Sequence, residues 1–151
     1  MASGFLMQWK WFTRPAPSTN YAIRANYLGM INGKPKLAII IMHRVITNAP
    51  DGMSVDHIDG NGLNNQKGNL RICTTAENSS NCKSYKNSIS KYVGVSLIPD
   101  DRKRKWTAQI NKNRKIIYIS RHLTEEEAAL ARDRFIIENN LVFSRLNILT
   151  R

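Results

Sequence analysis

The segment from residue 55 to residue 78 constrains the fold of this chain most strongly. A short apolar strand pattern is followed by a Gly-rich turn at residues 59–62, which folds one strand back on the next. A second apolar run occupies residues 70–73, and a threonine pair after it can cap a short helix that carries Asn78. The sequence therefore predicts two strands and a helix in close succession.

Four polar side chains in this segment suit the cleavage of a phosphodiester bond: Asp56, His57, Asn69 and Asn78. A neutral imidazole can take a proton from the attacking water. A divalent cation can neutralise the phosphate and assist the leaving oxygen. Magnesium prefers few protein ligands, all oxygens, which suits the Asp56 carboxylate and the Asn78 amide carbonyl. Each of the four residues has an ordinary structural explanation when taken singly, so the prediction depends on their combination.

The positions of Asp56 and His57 leave one question open. Neighbouring residues on a regular strand point to opposite faces. The two side chains can serve one site only if the strand ends, bends or bulges there. Alternatively, the metal and the water lie on different sides of the phosphate.

The charge of the chain indicates a polyanionic partner. Lys and Arg number 23 against 11 acidic residues, a formal net charge of +12, and nucleic acid binding uses such an excess through counterion release. A membrane surface is less favoured, because there is no long apolar run and no basic amphipathic helix. No signal peptide is evident, so we expect a cytoplasmic protein. Cys73 and Cys82 have no histidine at zinc-finger spacing.

The rest of the chain predicts an α+β protein. Apolar runs at residues 21–28 and 37–42 flank a turn signal and predict an N-terminal β-hairpin. Residues 83–91 are polar, non-periodic and typical of a linker. Three short strands are then expected, followed by a helix that starts at a capping box at Thr124 and places Ala128, Ala131 and Phe135 on one face. The expected strands are residues 92–97, 106–111 and 115–120. The resulting three-stranded antiparallel sheet packs one face on the helix and leaves the other face for a groove.

Residues 43 to about 81 resemble the HNH (ββα-metal) endonucleases, most closely those of the phage and intron homing group. The matching motifs are His43-Arg44-Val45-Ile46, Val55-Asp56-His57-Ile58-Asp59-Gly60, Asn69-Leu70-Arg71 and a helical Asn78. The resemblance implies that His57 is the general base, that Asp56 and Asn78 are metal ligands, and that Asn69 pins the loop between the strands. Asn78 occupies the position of the final histidine in the motif after which the family is named. An amide oxygen at this position favours magnesium, or manganese, over zinc.

Residues 92–147 resemble the Apetala-two/ERF-type DNA-binding domain, which places its sheet in the major groove. The matching motifs are Tyr92-Val93-Gly94-Val95, the run 105–110, the run 124–129 and Arg145-Leu146-Asn147. The residues that the resemblance assigns to the DNA-facing side are Ser96, Ile98, Lys105, Gln109, Asn111 and Tyr118. Basic residues in the turns can contact phosphate: Arg102, Arg104, Arg114 and Lys115. Several arginines of the plant domains are missing, so the plant target sequence does not transfer.

The combined prediction is a metal-dependent, homing-type DNA endonuclease that nicks duplex DNA and leaves 5′-phosphate and 3′-hydroxyl ends. Its expected domains are a nuclease domain with the hairpin (1–82), a linker (83–91) and a DNA-binding domain (92–151). The expected partner is double-stranded DNA, with no membrane and no small-molecule cofactor. We expect a monomer or weak dimer in the host cell of a phage or mobile element. A DNA-binding regulator with a vestigial nuclease site is the main alternative, and an RNA-acting or non-specific nuclease is the second.

Overall fold

The computed structural model describes residues 6–84, 87–99, 103, 105–112 and 115–149. The chain forms two compact units, Met1–Thr75 and Ala76–Arg151. Helices and three small antiparallel sheets make up the described residues, which confirms the predicted α+β class. No helix among these residues is long and apolar enough to span a membrane.

The first unit opens with a three-stranded antiparallel sheet. Its strands are β1 (Phe12–Pro15), β2 (Asn20–Ile31) and β3 (Lys34–Ile41), with β2 in the centre. Asn32 and Gly33 both have positive φ, as a two-residue hairpin turn requires. The predicted hairpin is confirmed, but its strands are longer than expected. The second strand runs back through Pro35, because β3 is an edge strand and tolerates a residue without an N–H.

The rest of the first unit, together with a helix that continues into the second, follows the predicted order of two strands and a helix. Helix α1 (Met42–Thr47) leads to β4 (Ser54–His57), which pairs antiparallel with β5 (Leu70–Cys73). A 3-10 turn at Lys67–Asn69 precedes β5. Helix α2 (Thr75–Ser80) begins at the last residue of this unit. The side chains that β4 and β5 bury include Val55, Leu70 and Cys73.

The second unit contains the predicted sheet and helix. Strands β6 (Val95–Leu97), β7 (Trp106–Lys112) and β8 (Lys115–His122) form an antiparallel sheet with β7 in the centre. Helix α3 (Glu125–Glu138) follows, and its capping box between Thr124 and Glu127 is complete. Val95, Ala108, Ala128 and Ala129 form a buried cluster, and small residues there allow α3 to lie close to the sheet. β6 starts three residues later than predicted.

The buried face of α3 includes more than the predicted residues. Ala131 packs against the buried cluster and Phe135 is half-buried, and Ile136 and the charged pair Arg132 and Asp133 are buried as well. The Asp133 carboxylate accepts hydrogen bonds from the backbone N–H groups of residues 147–149. Arg132 donates to the carbonyl of Arg145 at 2.8 Å. This face therefore holds the C-terminal segment through polar contacts, which an apolar periodicity does not predict.

Candidate active site

His57 lies at the end of β4 and is 5% exposed. The ring of His43 meets it edge-on, with 5.0 Å between the ring centroids and an angle of 76° between the planes. The ring of Tyr21 lies 6.0 Å from the His57 ring and 5.4 Å from that of His43. Nε2 of His57 lies 3.3 Å from Oδ1 of Asn65. Strand β2, helix α1 and the loop before β5 thus all contribute to the orientation of this imidazole.

His43 is a buried and neutral histidine. Burial, assisted by the nearby His57 and Arg44, lowers its pKa from 6.5 to about 4. Its Nδ1 has no hydrogen-bond partner among the described residues. The next residue, Arg44, donates to the carbonyls of Met53 and Pro50 and thereby holds the loop between α1 and β4. Two neighbouring residues at the start of α1 therefore help to position β4. His43 packs on His57, and Arg44 fixes the loop that precedes the strand.

Asp56 is 4% exposed and pairs with Arg71, which lies directly opposite on β5. Nε of Arg71 lies 2.8 Å from Oδ2 of Asp56, and an Nη atom lies 2.6 Å from the same oxygen. Asp56 therefore contacts Arg71, while its neighbour His57 contacts His43 and Tyr21. The two side chains leave the strand in different directions where the strand ends.

Asn69 closes the loop between β4 and β5. Its side-chain oxygen accepts from the N–H of Asp59 at 3.1 Å, and its amide nitrogen donates to the Asp59 carboxylate and to the carbonyl of Asn64, both at 2.9 Å. Desolvation acts to raise the pKa of Asp59, but hydrogen bonds from Asn61, Asn64 and Asn69 outweigh it and lower that pKa. An ionised Asp59 thus organises the loop together with Asn69.

Gly62 joins this loop to the N-terminal sheet. Its N–H donates to the Thr19 hydroxyl at 2.9 Å. A Cβ at this position would overlap the backbone carbonyl of Asn20 and the ring of Tyr21. The close approach lets the start of β2 pack against the loop, and it places Tyr21 beside His57.

The residues predicted to hold a metal are divided between the two units. Asp56 lies in the first unit, and Asn78 is half-buried on the part of α2 that belongs to the second. No group of three or more His, Cys, Asp and Glu residues is placed for metal binding in the described parts of the chain. A carboxylate and an amide carbonyl are oxygen donors, so their chemistry fits magnesium, which takes few protein ligands.

The sheet of the second unit brings several of the predicted DNA-facing residues together. Gln109 lies opposite Tyr118 and Asn111 opposite Ile116, and these pairs alternate with the buried Ile110. Tyr118 is 55% exposed. Ser96 is hydrogen-bonded to the buried Thr107 at 2.8 Å, Ile98 follows β6, and Lys105 and Lys115 are exposed. Arg102, Arg104 and Arg114 lie outside the described residues.

The sequence alone did not predict that Arg71 contacts Asp56 or that Asn65 contacts His57. The position of Arg71 follows from the register of the β4–β5 pair, in which it faces Asp56. A hairpin register counted from the turn would have located it. Asn65 lies in an irregular loop, and no pattern in the sequence places its amide beside His57.

Comparison with known proteins points to the same segment of the chain. Residues 41–80 match the profile of the HNH endonuclease family. The chain is 37% identical over 98 residues to a protein named as an uncharacterized HNH endonuclease of Acanthamoeba polyphaga mimivirus, covering 64% of this chain and 49% of that protein. It is 47% identical over 47 residues to protein 3.8 of Escherichia phage T7, covering 31% of this chain and 39% of that protein.

No solved structure shows significant similarity to the chain. The matched regions span less than half the length of both curated relatives. The matches support the predicted nuclease domain of the HNH class. The family match ends before residue 92, so the Apetala-two/ERF resemblance stays a prediction.

Proposed function

We propose that this chain is a metal-dependent DNA endonuclease of the homing type, which nicks one strand of a duplex. The observation that carries the proposal is the buried, ring-packed His57 beside Asp56 at the end of β4, inside the segment that matches the HNH endonuclease family. Such an arrangement fixes an imidazole without exposing it to bulk water. A fixed imidazole of this kind is what general-base catalysis needs.

In the proposed reaction His57 takes a proton from a water molecule as the water oxygen bonds to phosphorus. The bond between phosphorus and the 3′-oxygen breaks, and that oxygen leaves as a 3′-hydroxyl after it gains a proton. The phosphate remains on the 5′ end. Asn69 acts indirectly, because it holds the loop that follows His57 in place.

Asp56 and Asn78 are the proposed magnesium ligands, with manganese as a substitute. The cation would neutralise charge on the phosphate and assist departure of the leaving oxygen. The presence of both positions in the matched segment 41–80 supports this assignment. Arg71 pairs with the Asp56 carboxylate and orients it within its buried setting.

Residues 92–151, which follow the predicted linker at 83–91, are proposed to bind duplex DNA as an Apetala-two/ERF-type domain. Two observations support the proposal. The three strands and the helix have the expected order, and Asn147 of the matching motif bonds both the N–H and the carbonyl of Val93. Gln109 and Asn111 would read base edges, and Lys105 and Lys115 would contact phosphate, together with Arg102, Arg104 and Arg114.

Charge supports a nucleic acid substrate for the first unit as well. Residues 1–50 contain six basic and no acidic residues. A surface of this composition attracts phosphate wherever the chain approaches DNA. We propose a monomer that makes one cut per binding event, so that a double-strand break needs two events or a dimer.

The test is cleavage of a supercoiled plasmid that carries the DNA flanking the gene of this chain. Wild type is compared with His57→Ala and with His122→Ala, which removes a histidine of the second unit. Magnesium, manganese and EDTA are run in parallel. We expect relaxed circles from wild type and His122→Ala only, and only with metal.

Three other results would argue against the proposal. Cleavage by His57→Ala at the wild-type rate would exclude His57 as the general base. Intact plasmid together with selective binding in a gel shift would favour a DNA-binding regulator. Comparable digestion of RNA, or degradation of duplex DNA to small fragments, would favour a non-specific nuclease.

A further inference from the structure

The side chain of Asn65 faces the proposed general base. Its Oδ1 lies 3.3 Å from Nε2 of His57, and its Nδ2 lies 3.2 Å from the carbonyl oxygen of Leu63. Asn65 is half-buried, and its own backbone N–H bonds to the same carbonyl of Leu63 at 3.0 Å. Two bonds to one carbonyl fix the amide relative to the loop.

These contacts determine which way the amide points. If the amide were turned over, its oxygen would lie against the Leu63 carbonyl, and two acceptors would face each other with no hydrogen between them. The amide nitrogen therefore faces Leu63, and the amide oxygen faces the imidazole. An amide oxygen only accepts hydrogen bonds, so Nε2 of His57 must carry the hydrogen.

A neutral imidazole with a hydrogen on Nε2 has its lone pair on Nδ1. We propose that Asn65 is a positioning residue that holds His57 in this tautomer and presents Nδ1 to the attacking water. The assignment of the attacking water as the group that gives its proton to Nδ1 rests on the proposed function. The tautomer itself is a property of the folded chain.

The same contact suits the charged form of the base. When Nδ1 takes a proton from water, Nε2 keeps its hydrogen and the bond to Asn65 becomes charge-assisted, which strengthens it. The rings of His43 and Tyr21 limit rotation of the imidazole from the other side. Rotation that breaks the Asn65 contact would turn Nδ1 away from its working position.

The direct test is NMR of the His57 ring in the full-length protein without DNA. Long-range nitrogen–proton correlations at neutral pH distinguish the Nε2–H tautomer from the Nδ1–H tautomer. The variants are Asn65→Leu, which has a similar shape and no acceptor, and Asn65→Asp, which keeps an acceptor oxygen. Gln66→Leu, at the exposed neighbouring position, is the matched control.

We expect the Nε2–H tautomer in wild type, Asn65→Asp and Gln66→Leu, with slow exchange of the Nε2 proton. Asn65→Leu should show faster exchange of this proton and a mixture of tautomers. In plasmid cleavage, kcat of Asn65→Leu should fall about ten- to a hundred-fold with KM unchanged, because a misplaced base affects the chemical step.

An Nδ1–H tautomer in wild type would overturn the proposal, and so would an unchanged Nε2 proton in Asn65→Leu. If Asn65→Leu does not fold, the wild-type spectrum still shows which nitrogen of His57 carries the hydrogen. Failure of the proposed function has a different signature. In that case His57→Ala would cleave as wild type does, while the tautomer result would be unaffected.

Discussion

The edge of the His43 ring lies against the ring of His57, and His43 brings no positive charge to that contact. Its pKa of about 4 follows mainly from burial. A buried neutral histidine links stability to pH, because the unfolded chain takes up a proton that the folded chain does not.

We therefore expect the free energy of unfolding to fall as the pH drops from about 6.5 to about 4. Above this window the unfolded histidine is also neutral, so the stabilising effect is fully present there. Across the window the loss from His43 amounts to about 2–3 kcal/mol. Urea denaturation at several pH values measures it. His43→Phe keeps a planar ring that does not titrate, and its stability should vary less with pH by that amount. Equal pH dependence in the two proteins would contradict this explanation.

The ion pair between Arg71 and Asp56 predicts a large effect of a single substitution. Arg71→Met leaves the buried carboxylate of Asp56 without this guanidinium. Breaking a buried pair costs about 3–5 kcal/mol, and partial exposure of the arginine reduces the expectation to about 2–3 kcal/mol. Chemical denaturation of the two proteins gives the value. Lys91→Met breaks the exposed pair with Glu126 and should have a small effect.

Magnesium offers a second measurement on the same variant. If Asp56 is a metal ligand, a bound cation replaces the charge that Arg71→Met removes. Added magnesium should then raise Tm more in Arg71→Met than in wild type. Equal shifts in both proteins would argue against Asp56 as a ligand, while leaving the stability prediction intact.

Local signals account for the parts of the fold that the sequence predicts well. Asn32 and Gly33 form a turn through their own backbone preferences, and the box between Thr124 and Glu127 lies within one helical turn. Contacts between distant segments have no such signature. The packing of Tyr21 on His57 depends on how β2 meets the loop at Gly62. The burial of Asp133 depends on a C-terminal segment without periodic structure.

Gly94 is expected to tolerate no side chain. Its φ is +69°, and a Cβ there would overlap the carbonyl of Gln109 and the guanidinium of Arg132. Gly94→Ala should destabilise the second unit by about 2–4 kcal/mol, since backbone strain and overpacking add. Gly68→Ala is the matched control, because no atom lies within 4 Å of its Cβ position. Denaturation followed by NMR resonances of each unit separates the effects. Wild-type stability of Gly94→Ala would contradict the observed close approach.

The outer face of the second-unit sheet predicts two kinds of DNA-binding variant. Lys115 is exposed at the start of β8 and is proposed to contact phosphate, so Lys115→Gln should reduce the slope of log K against log salt by about 0.9. Gln109 is proposed to read a base, so Gln109→Ala should leave that slope unchanged and reduce discrimination at one base pair by about 1–3 kcal/mol.

Arg134→Gln is the control, because this exposed arginine lies on α3, which covers the opposite face of the sheet. Fluorescence anisotropy over a salt series, with target and scrambled duplexes, measures both quantities. If Arg134→Gln changes the slope as much as Lys115→Gln does, binding depends on overall charge and the sheet is not the reading surface.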